Sequence, residues 1–177
     1  MTHLPRLIAI LCAFSLELGA SPAQALEFGG GVSLGGIVTG TRPRFAVSPH
    51  AGVSWHSANG FMLAAHEMCS VLPAGDRHGV GIYNQASVAP GYATENATFS
   101  IGPSFSAYST PACNATICGR VVGLALGARF QANVYFAGPL GVSLSANADW
   151  ITGSASAFLG SATAMIVAGP VLRWSPK

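Results

Sequence analysis

Ser54 and His56 are the residues of this sequence best suited to nucleophilic chemistry. A serine hydroxyl needs a neighbouring base before it can attack a carbonyl carbon, and residues two apart on a β-strand share one face. His50 lies on that same face, and His66 or Glu67 in the following segment could orient the base. An ordinary hydrogen-bond network explains the same residues, so the pattern leaves a hydrolase and a structural network open.

Of the four cysteines, the three that lie outside the N-terminal segment, Cys69, Cys113 and Cys118, admit two kinds of chemistry. Together with His66 they form a Cys₃His donor set, which is typical of tetrahedral zinc sites. An oxidising compartment favours a disulfide instead, and we therefore expect no metal. Because Cys113 and Cys118 flank only four residues, we predict a disulfide between them, with Cys69 free or partnered between molecules.

β-Strands are the elements that would position these residues. Large apolar residues or alanine recur at every second position, and the positions between them are rich in glycine, serine and other polar residues. This period of two indicates strands with one apolar and one polar face. The pattern occurs eight times, over residues 28–39, 47–56, 61–72, 80–88, 97–107, 120–136, 140–150 and 163–174.

The connections between these strands alternate in length. Short turns occur at residues 57–60, 93–96 and 137–139, and longer segments at 70–79, 109–119 and 151–160, with residues 40–43 as the exception. Short periplasmic turns and longer extracellular loops are typical of transmembrane barrels, whose smallest strand number is eight. We predict an all-β fold, an eight-stranded antiparallel up-and-down transmembrane β-barrel. A soluble secreted barrel that binds a small ligand also has alternating strands and remains the alternative.

Composition excludes several other classes. Of the 177 residues, 50% are hydrophobic and only 8% are charged, whereas soluble domains contain about 25% charged residues. The net charge of +2 without a basic cluster argues against nucleic-acid binding. With 22 glycines and 11 prolines, a helical bundle is disfavoured, and no apolar run is long enough for a membrane helix.

The N-terminal segment is predicted to be a secretory signal peptide covering residues 1–25. Arg6 supplies a positive charge, Leu7 to Leu16 form an apolar stretch, and Ala23 to Ala25 form a small-residue cleavage site. The predicted barrel domain then covers residues 26–177.

His66 and Glu67 form the one place where the alternation fails. Adjacent strand residues point to opposite faces, so one of them faces lipid unless a β-bulge turns both inward. A charge on the lipid face costs about 2–4 kcal/mol for Arg or Lys at the midplane and less for Glu. A local rule broken without evident gain often marks function.

The turn at residues 137–139 sets a register that makes a further prediction. It pairs Phe136 with Leu140 and places Arg129 opposite Asn147 and diagonal to Asp149. A long arginine side chain spans such a diagonal, so we predict that Arg129 and Asp149 pair inside the lumen.

Aromatic residues near strand ends predict where the bilayer interfaces lie. Trp55, Phe136 and Trp174 should mark the periplasmic interface, and Trp150 the opposite rim.

The C-terminal segment carries a family resemblance. Gly169, Leu172 and Trp174 resemble the C-terminal insertion signal of bacterial outer-membrane proteins, although Ser175 to Lys177 follow the aromatic residue. Over residues 27–174 the chain resembles small eight-stranded barrels of the OmpA, OmpX and PagL type. The PagL-type lipid A deacylases also carry Ser, His and Glu on the barrel wall, but with His before Ser and facing lipid.

This resemblance implies location in the bacterial outer membrane, with membrane lipid and lipopolysaccharide as surroundings. We expect a monomer with a structural or surface-interaction role, carried by the extracellular loops and directed at an extracellular protein or ligand of unknown identity. No cofactor and no nucleic-acid partner are expected. The alternative enzyme is a lipid A deacylase-like hydrolase that uses Ser54 and His56.

Overall fold

Eight β-strands account for nearly all of the chain described in the computed structural model. The structure describes residues 25–39, 42–73, 79–113, 118–153, 156 and 161–175. None of the helices in this part of the chain has the length and apolarity needed to cross a membrane. The strands are β1 (Ala25–Thr39), β2 (Arg42–His56), β3 (Phe61–Leu72), β4 (Gly81–Ala93), β5 (Ala97–Cys113), β6 (Cys118–Ala137), β7 (Leu140–Ile151) and β8 (Ala162–Trp174).

The strands form a closed antiparallel barrel in sequence order, with β8 pairing back onto β1. Cross-strand partners followed once around the barrel from Gly29, through all eight strands, lead back to β1 at Thr39. This is ten residues beyond the starting point. Such a stagger tilts the strands by about 40° to the barrel axis. The predicted fold class is confirmed.

Tight turns join the strands at one end. Gly60 and Gly138 adopt φ values of 87° and 60° in two of these turns, a region that L-residues rarely occupy. Following the short-turn rule of outer-membrane barrels, we name this end periplasmic and the other extracellular. β1 begins and β8 ends at the periplasmic end, as an even number of strands requires.

The outer wall of the barrel is apolar, and much of the inner face is polar. Ile101 on the outer face of β5 is 63% exposed, whereas the neighbouring Ser104 and Ser106 point inward and are buried. A soluble barrel that binds a ligand has the opposite arrangement, with its apolar side chains inside. The observed arrangement, with apolar side chains outside and polar side chains inside, therefore contradicts the alternative of a soluble ligand-binding barrel. It fits a wall that faces lipid.

Part of the lumen is occupied by apolar side chains, which lie beside buried polar ones. Ile37, Met68, Leu72, Ile151 and Met165 are all buried there, and they pack with Tyr83 and Tyr108. Ser48 and Ser70 are buried beside this cluster and bond each other at 2.8 Å, so the expected serine-rich lining continues alongside the apolar side chains.

The β5–β6 hairpin is longer than the sequence pattern indicated. Regular pairing continues to Cys113 opposite Cys118, so most of the loop expected over residues 109–119 is strand. The pairing of β5 with β4 ends at Ser109 and Ile82, and the pairing of β6 with β7 ends at Ala125 and Ile151, so both stop short of the hairpin tip.

The predicted register of β6 and β7 holds except at the turn. Arg129 lies opposite Asn147 as expected, but Leu140 pairs with Ala137 instead of Phe136, because the register shifts between Tyr135 and Ala137. A one-residue bulge of this kind is common where a strand enters a turn.

The aromatic side chains lie at the two ends expected from the sequence. Trp174 stacks on Phe28 with ring centroids 5.7 Å apart, and Trp55 contacts Phe61 edge-on at 6.3 Å, both at the periplasmic end. Trp150 lies at the opposite end of β7 and is 63% exposed.

The predicted signal peptide lies outside the described residues, apart from Ala25, which opens β1. Its cleavage remains a prediction.

Candidate functional site

Ser54 and His56 face the lumen near its periplasmic mouth, and their side chains are joined by a hydrogen bond. Ser54 Oγ lies 2.7 Å from His56 Nε2. Glu27 is the cross-strand partner of Ser54, and its carboxylate is ion-paired with Arg173 at 3.7 Å. The Arg173 guanidinium also lies 4.0 Å from the centre of the Tyr135 ring. The sequence did not single out Glu27, Arg173 or Tyr135.

Glu67 cannot orient His56, because the two side chains lie on opposite sides of the barrel wall. The pairing of β3 with both neighbours runs through His66 and Glu67 without a register shift. His66 consequently points into the lumen and Glu67 points outward, where it is exposed. The bulge considered from the sequence is absent at these two described residues, and the proposed base-orienting role of Glu67 is wrong.

The space beside Ser54 is small. A cavity of about 30 Å³ is lined by residues that include Glu27, His50, Ser54 and His66. This volume matches one water molecule, which is far less than an acyl chain needs. The arrangement can therefore hold water and polar side chains in a hydrogen-bond network, and this cavity is too small for a lipid substrate.

Asp149 is the centre of the polar lumen. Its side chain is 1% exposed and accepts five hydrogen bonds from buried groups. The donors are Ser104 at 2.7 Å, Ser106 and Asn147 at 2.9 Å, Gln85 at 3.2 Å, and the hydroxyl of Tyr83. These donors come from β4, β5 and β7, so one carboxylate ties together strands on two sides of the lumen.

Arg129 does not pair directly with Asp149, although both side chains point inward as predicted. Arg129 takes the other diagonal, donating from Nε to Ser145 at 3.0 Å and from Nη2 to Gln131 at 2.9 Å. The network continues from Gln131 through Asn133 to Thr98. Arg173–Glu27 is the one ion pair in the described part of the chain. The arginine thus organises the periplasmic half of the lumen, separately from Asp149.

The candidate zinc donors His66 and Cys69 are not brought together. Cys69 points outward and is a free thiol, whereas His66, three residues earlier on the same strand, points inward. Residues separated by an odd number on a strand face opposite ways, so these two cannot ligate one ion. Within the described ranges, no three His, Cys, Asp or Glu residues form a metal-binding group.

The Cys113–Cys118 disulfide remains a prediction, since these two side chains lie outside the described part. Their backbones are direct cross-strand partners. The Cα separation of such partners, about 4.5–5.5 Å, falls within the range that a disulfide spans. We expect peptide mapping without reductant to recover the peptides of Cys113 and Cys118 linked and Cys69 unlinked. A link from Cys69 to either of the others would contradict this assignment.

Comparison with known proteins gives matches at the level of structure. No protein-family model matches the sequence, and no curated protein sequence does. Neisserial surface protein A matches with a TM-score of 0.54 at 9% identity, and the N-terminal β-barrel domain of Pseudomonas aeruginosa OprF with 0.53 at 10%. Ail, the attachment invasion locus protein of Yersinia pestis, matches with 0.54 at 8%. Each match covers 85% of this chain and 97% of the other.

At these identities the likeness concerns the fold. It agrees with the closed eight-stranded topology and with the apolar outer wall, both of which were observed independently of it. The chain therefore has the fold of the small bacterial outer-membrane β-barrels, and its outer wall is apolar.

Proposed function

We propose that this protein is a closed, non-conducting outer-membrane barrel that acts at the cell surface through its longest hairpin. The observation that carries the proposal is the filled lumen. The Asp149 network, with donors from β4 and β5, and the apolar cluster around Met68 and Met165 together fill the lumen. An eight-stranded barrel has an interior just wide enough for its own side chains, so no path for solutes is left.

The β5–β6 hairpin supports a role outside the membrane. Residues 110–113 and 118–121 pair only with each other, and we name them the projecting hairpin. Leu126 is the partner of Trp150 at the extracellular rim, and Cys118 lies eight residues before Leu126 on β6, so it is roughly 15–20 Å above that rim.

The base of the projecting hairpin is held firmly. Arg120 donates hydrogen bonds to the Ser109 hydroxyl at 2.8 Å and to the Val80 carbonyl at 3.1 Å. Just below it, Val122 is 72% exposed. A hairpin that is hydrogen-bonded at its base and exposes the basic Arg120 side chain is a suitable surface for contact with an anionic partner. One structural neighbour, Ail, is described in complex with the heparin analogue sucrose octasulfate, which suggests heparin as a probe.

We expect purified barrel in a planar bilayer to give no conductance steps. We also expect cells that display the wild type to adhere to heparin-coated or serum-protein-coated surfaces above vector-only cells. Replacement of residues 110–121 by Asn-Gly should return adhesion to the vector level without unfolding the barrel.

The matched control replaces the periplasmic turn at residues 57–60 by Asn-Gly, which should leave adhesion unchanged. Stepwise conductance would overturn the closed lumen. Equal adhesion of the wild type and the hairpin variant on every coating would overturn the surface role.

A further inference from the structure

Glu67 places an ionisable group on the lipid-facing wall, halfway along β3. It has no hydrogen-bond or ion-pair partner among the described residues. Its line of cross-strand partners runs through Ala86, Phe105 and Leu126 to Trp150 at the extracellular rim. Each step of one strand changes the height by about 3 Å, so Glu67 lies about 12 Å below Trp150, near the middle of an apolar band about 25 Å tall.

The wall around Glu67 is concave. Its direct partners on either side are Ala51 and Ala86, and Ala65 precedes it on the outer face of β3. These small side chains form the floor of a groove of about 720 Å³, whose sides include Val88 and Phe105. We name this feature the Glu67 groove. The groove is shallow and open along the wall, so it suits a ligand that lies on the wall and not one that is enclosed.

A carboxyl group at this depth requires a partner. Ionisable residues in the hydrocarbon region are costly and mark functional sites by default. Described residues of the outer wall between the two aromatic ends include no lysine, arginine or histidine. Asn84, which is exposed on β4 diagonally above Glu67, adds a second unpaired polar side chain at the extracellular side of the groove. No hydrogen-bond donor for the Glu67 carboxyl group is found among the described residues, so we consider a donor supplied by a bound molecule.

We propose that the Glu67 groove binds a lipophilic amine, with the nitrogen on the Glu67 carboxyl group and the hydrocarbon body along the alanine floor. An amine satisfies the carboxyl oxygens either as a salt bridge or as a neutral hydrogen-bonded pair. A lipid headgroup remains at the rim, about 12 Å away. A second copy of the chain is a poor occupant. In the same membrane orientation its Glu67 lies at the same depth, so the two Glu67 carboxyl groups would face each other.

The test uses two photoactivatable probes of equal length, dodecylamine and dodecanol, each with a diazirine at the chain end. They are added to the folded barrel in bilayers, and labelled peptides are mapped by mass spectrometry. In the wild type we expect the amine to label β3 and β4 peptides about tenfold more than the alcohol, which corresponds to about 1.4 kcal/mol. The variant Glu67→Gln should remove this difference.

Two further variants separate the groove from the carboxyl group. Ala65→Leu fills the groove while keeping Glu67, and it should lower labelling by both probes. Ala148→Leu adds the same bulk on the outer face of β7, away from the groove, and should leave labelling unchanged. Each variant is first checked for heat-modifiable migration, so that loss of folding is recognised.

Equal labelling by amine and alcohol in the wild type would overturn the proposal, as would labelling by the amine that persists in Glu67→Gln. A Glu67-dependent dimer detected by crosslinking without any amine would also overturn it, because the occupant would then be a second copy.

Discussion

Replacement of Asp149 by alanine is expected to lower the free energy of unfolding by about 3–5 kcal/mol. The carboxylate accepts five hydrogen bonds in a buried site, and its removal leaves donors on β4, β5 and β7 without an acceptor. Each buried group left unsatisfied costs about 1–3 kcal/mol, and partial relaxation makes the total smaller than the sum. Urea unfolding in detergent or lipid, followed by tryptophan fluorescence, measures the loss.

Ser87→Ala is the matched control for this prediction. Ser87 is buried on the same lumenal line of partners as Asp149, but its hydroxyl has no partner in the structure. Its removal should change the free energy of unfolding by no more than about 0.5 kcal/mol. Similar effects of Asp149→Ala and Ser87→Ala would show that the network around Asp149 does not stabilise the barrel.

Replacement of Gly35 by alanine is expected to prevent closure of the barrel. Gly35 lies on the inner side of β1 opposite β8, and a Cβ atom there would overlap the backbone carbonyl oxygen of Ile166. Backbone atoms in a hydrogen-bonded ladder cannot move aside as a flexible side chain can, so we expect a loss above the usual overpacking cost of about 1–3 kcal/mol. Loss of heat-modifiable gel migration would report the failure to close.

Gly36→Ala supplies the control at the adjacent position. The added Cβ would point outward and meet its nearest atom, the Arg44 carbonyl oxygen, at 3.8 Å, which is ordinary contact. This variant should migrate like the wild type. If Gly35→Ala also folds and migrates normally, β1 and β8 do not lie as close together at Gly35 as the structure places them.

The fold could be predicted from the sequence because the period-two pattern is strong where the two faces differ in chemistry. On β5, Ile101 and Phe105 alternate with serines, and the structure places them as predicted. On β8 both faces are apolar, so the sequence did not indicate that Met165 and Val167 point inward and join the apolar cluster in the lumen. The extent of the β5–β6 hairpin was also missed, since glycine, proline and threonine near the tip resemble a loop.

The sites were less predictable, because they depend on contacts between strands that are distant in sequence. Asp149 was recognised as lumenal, but its donors on β4 and β5 are more than 40 positions away along the chain, and no local pattern identifies them. The one signal in the sequence was that β4 and β5 carry polar residues on their inward faces at a height in the barrel similar to that of Asp149. The sequence correctly located a break in the alternation of apolar and polar residues at His66 and Glu67. The pairing of β3 continues through both residues without a register shift, which places Glu67 on the outer face.

Quenching of tryptophan fluorescence by brominated lipids tests the central claim, that the apolar outer wall faces the bilayer. Trp150 and Trp174 are 63% and 58% exposed on the outer face, at opposite ends of the barrel. In reconstituted bilayers we expect strong quenching by bromines near the headgroups and weak quenching by bromines near the chain ends, as interfacial aromatic belts require. Fluorescence unaffected by bromines at either depth would show that the wall faces water and would contradict the account.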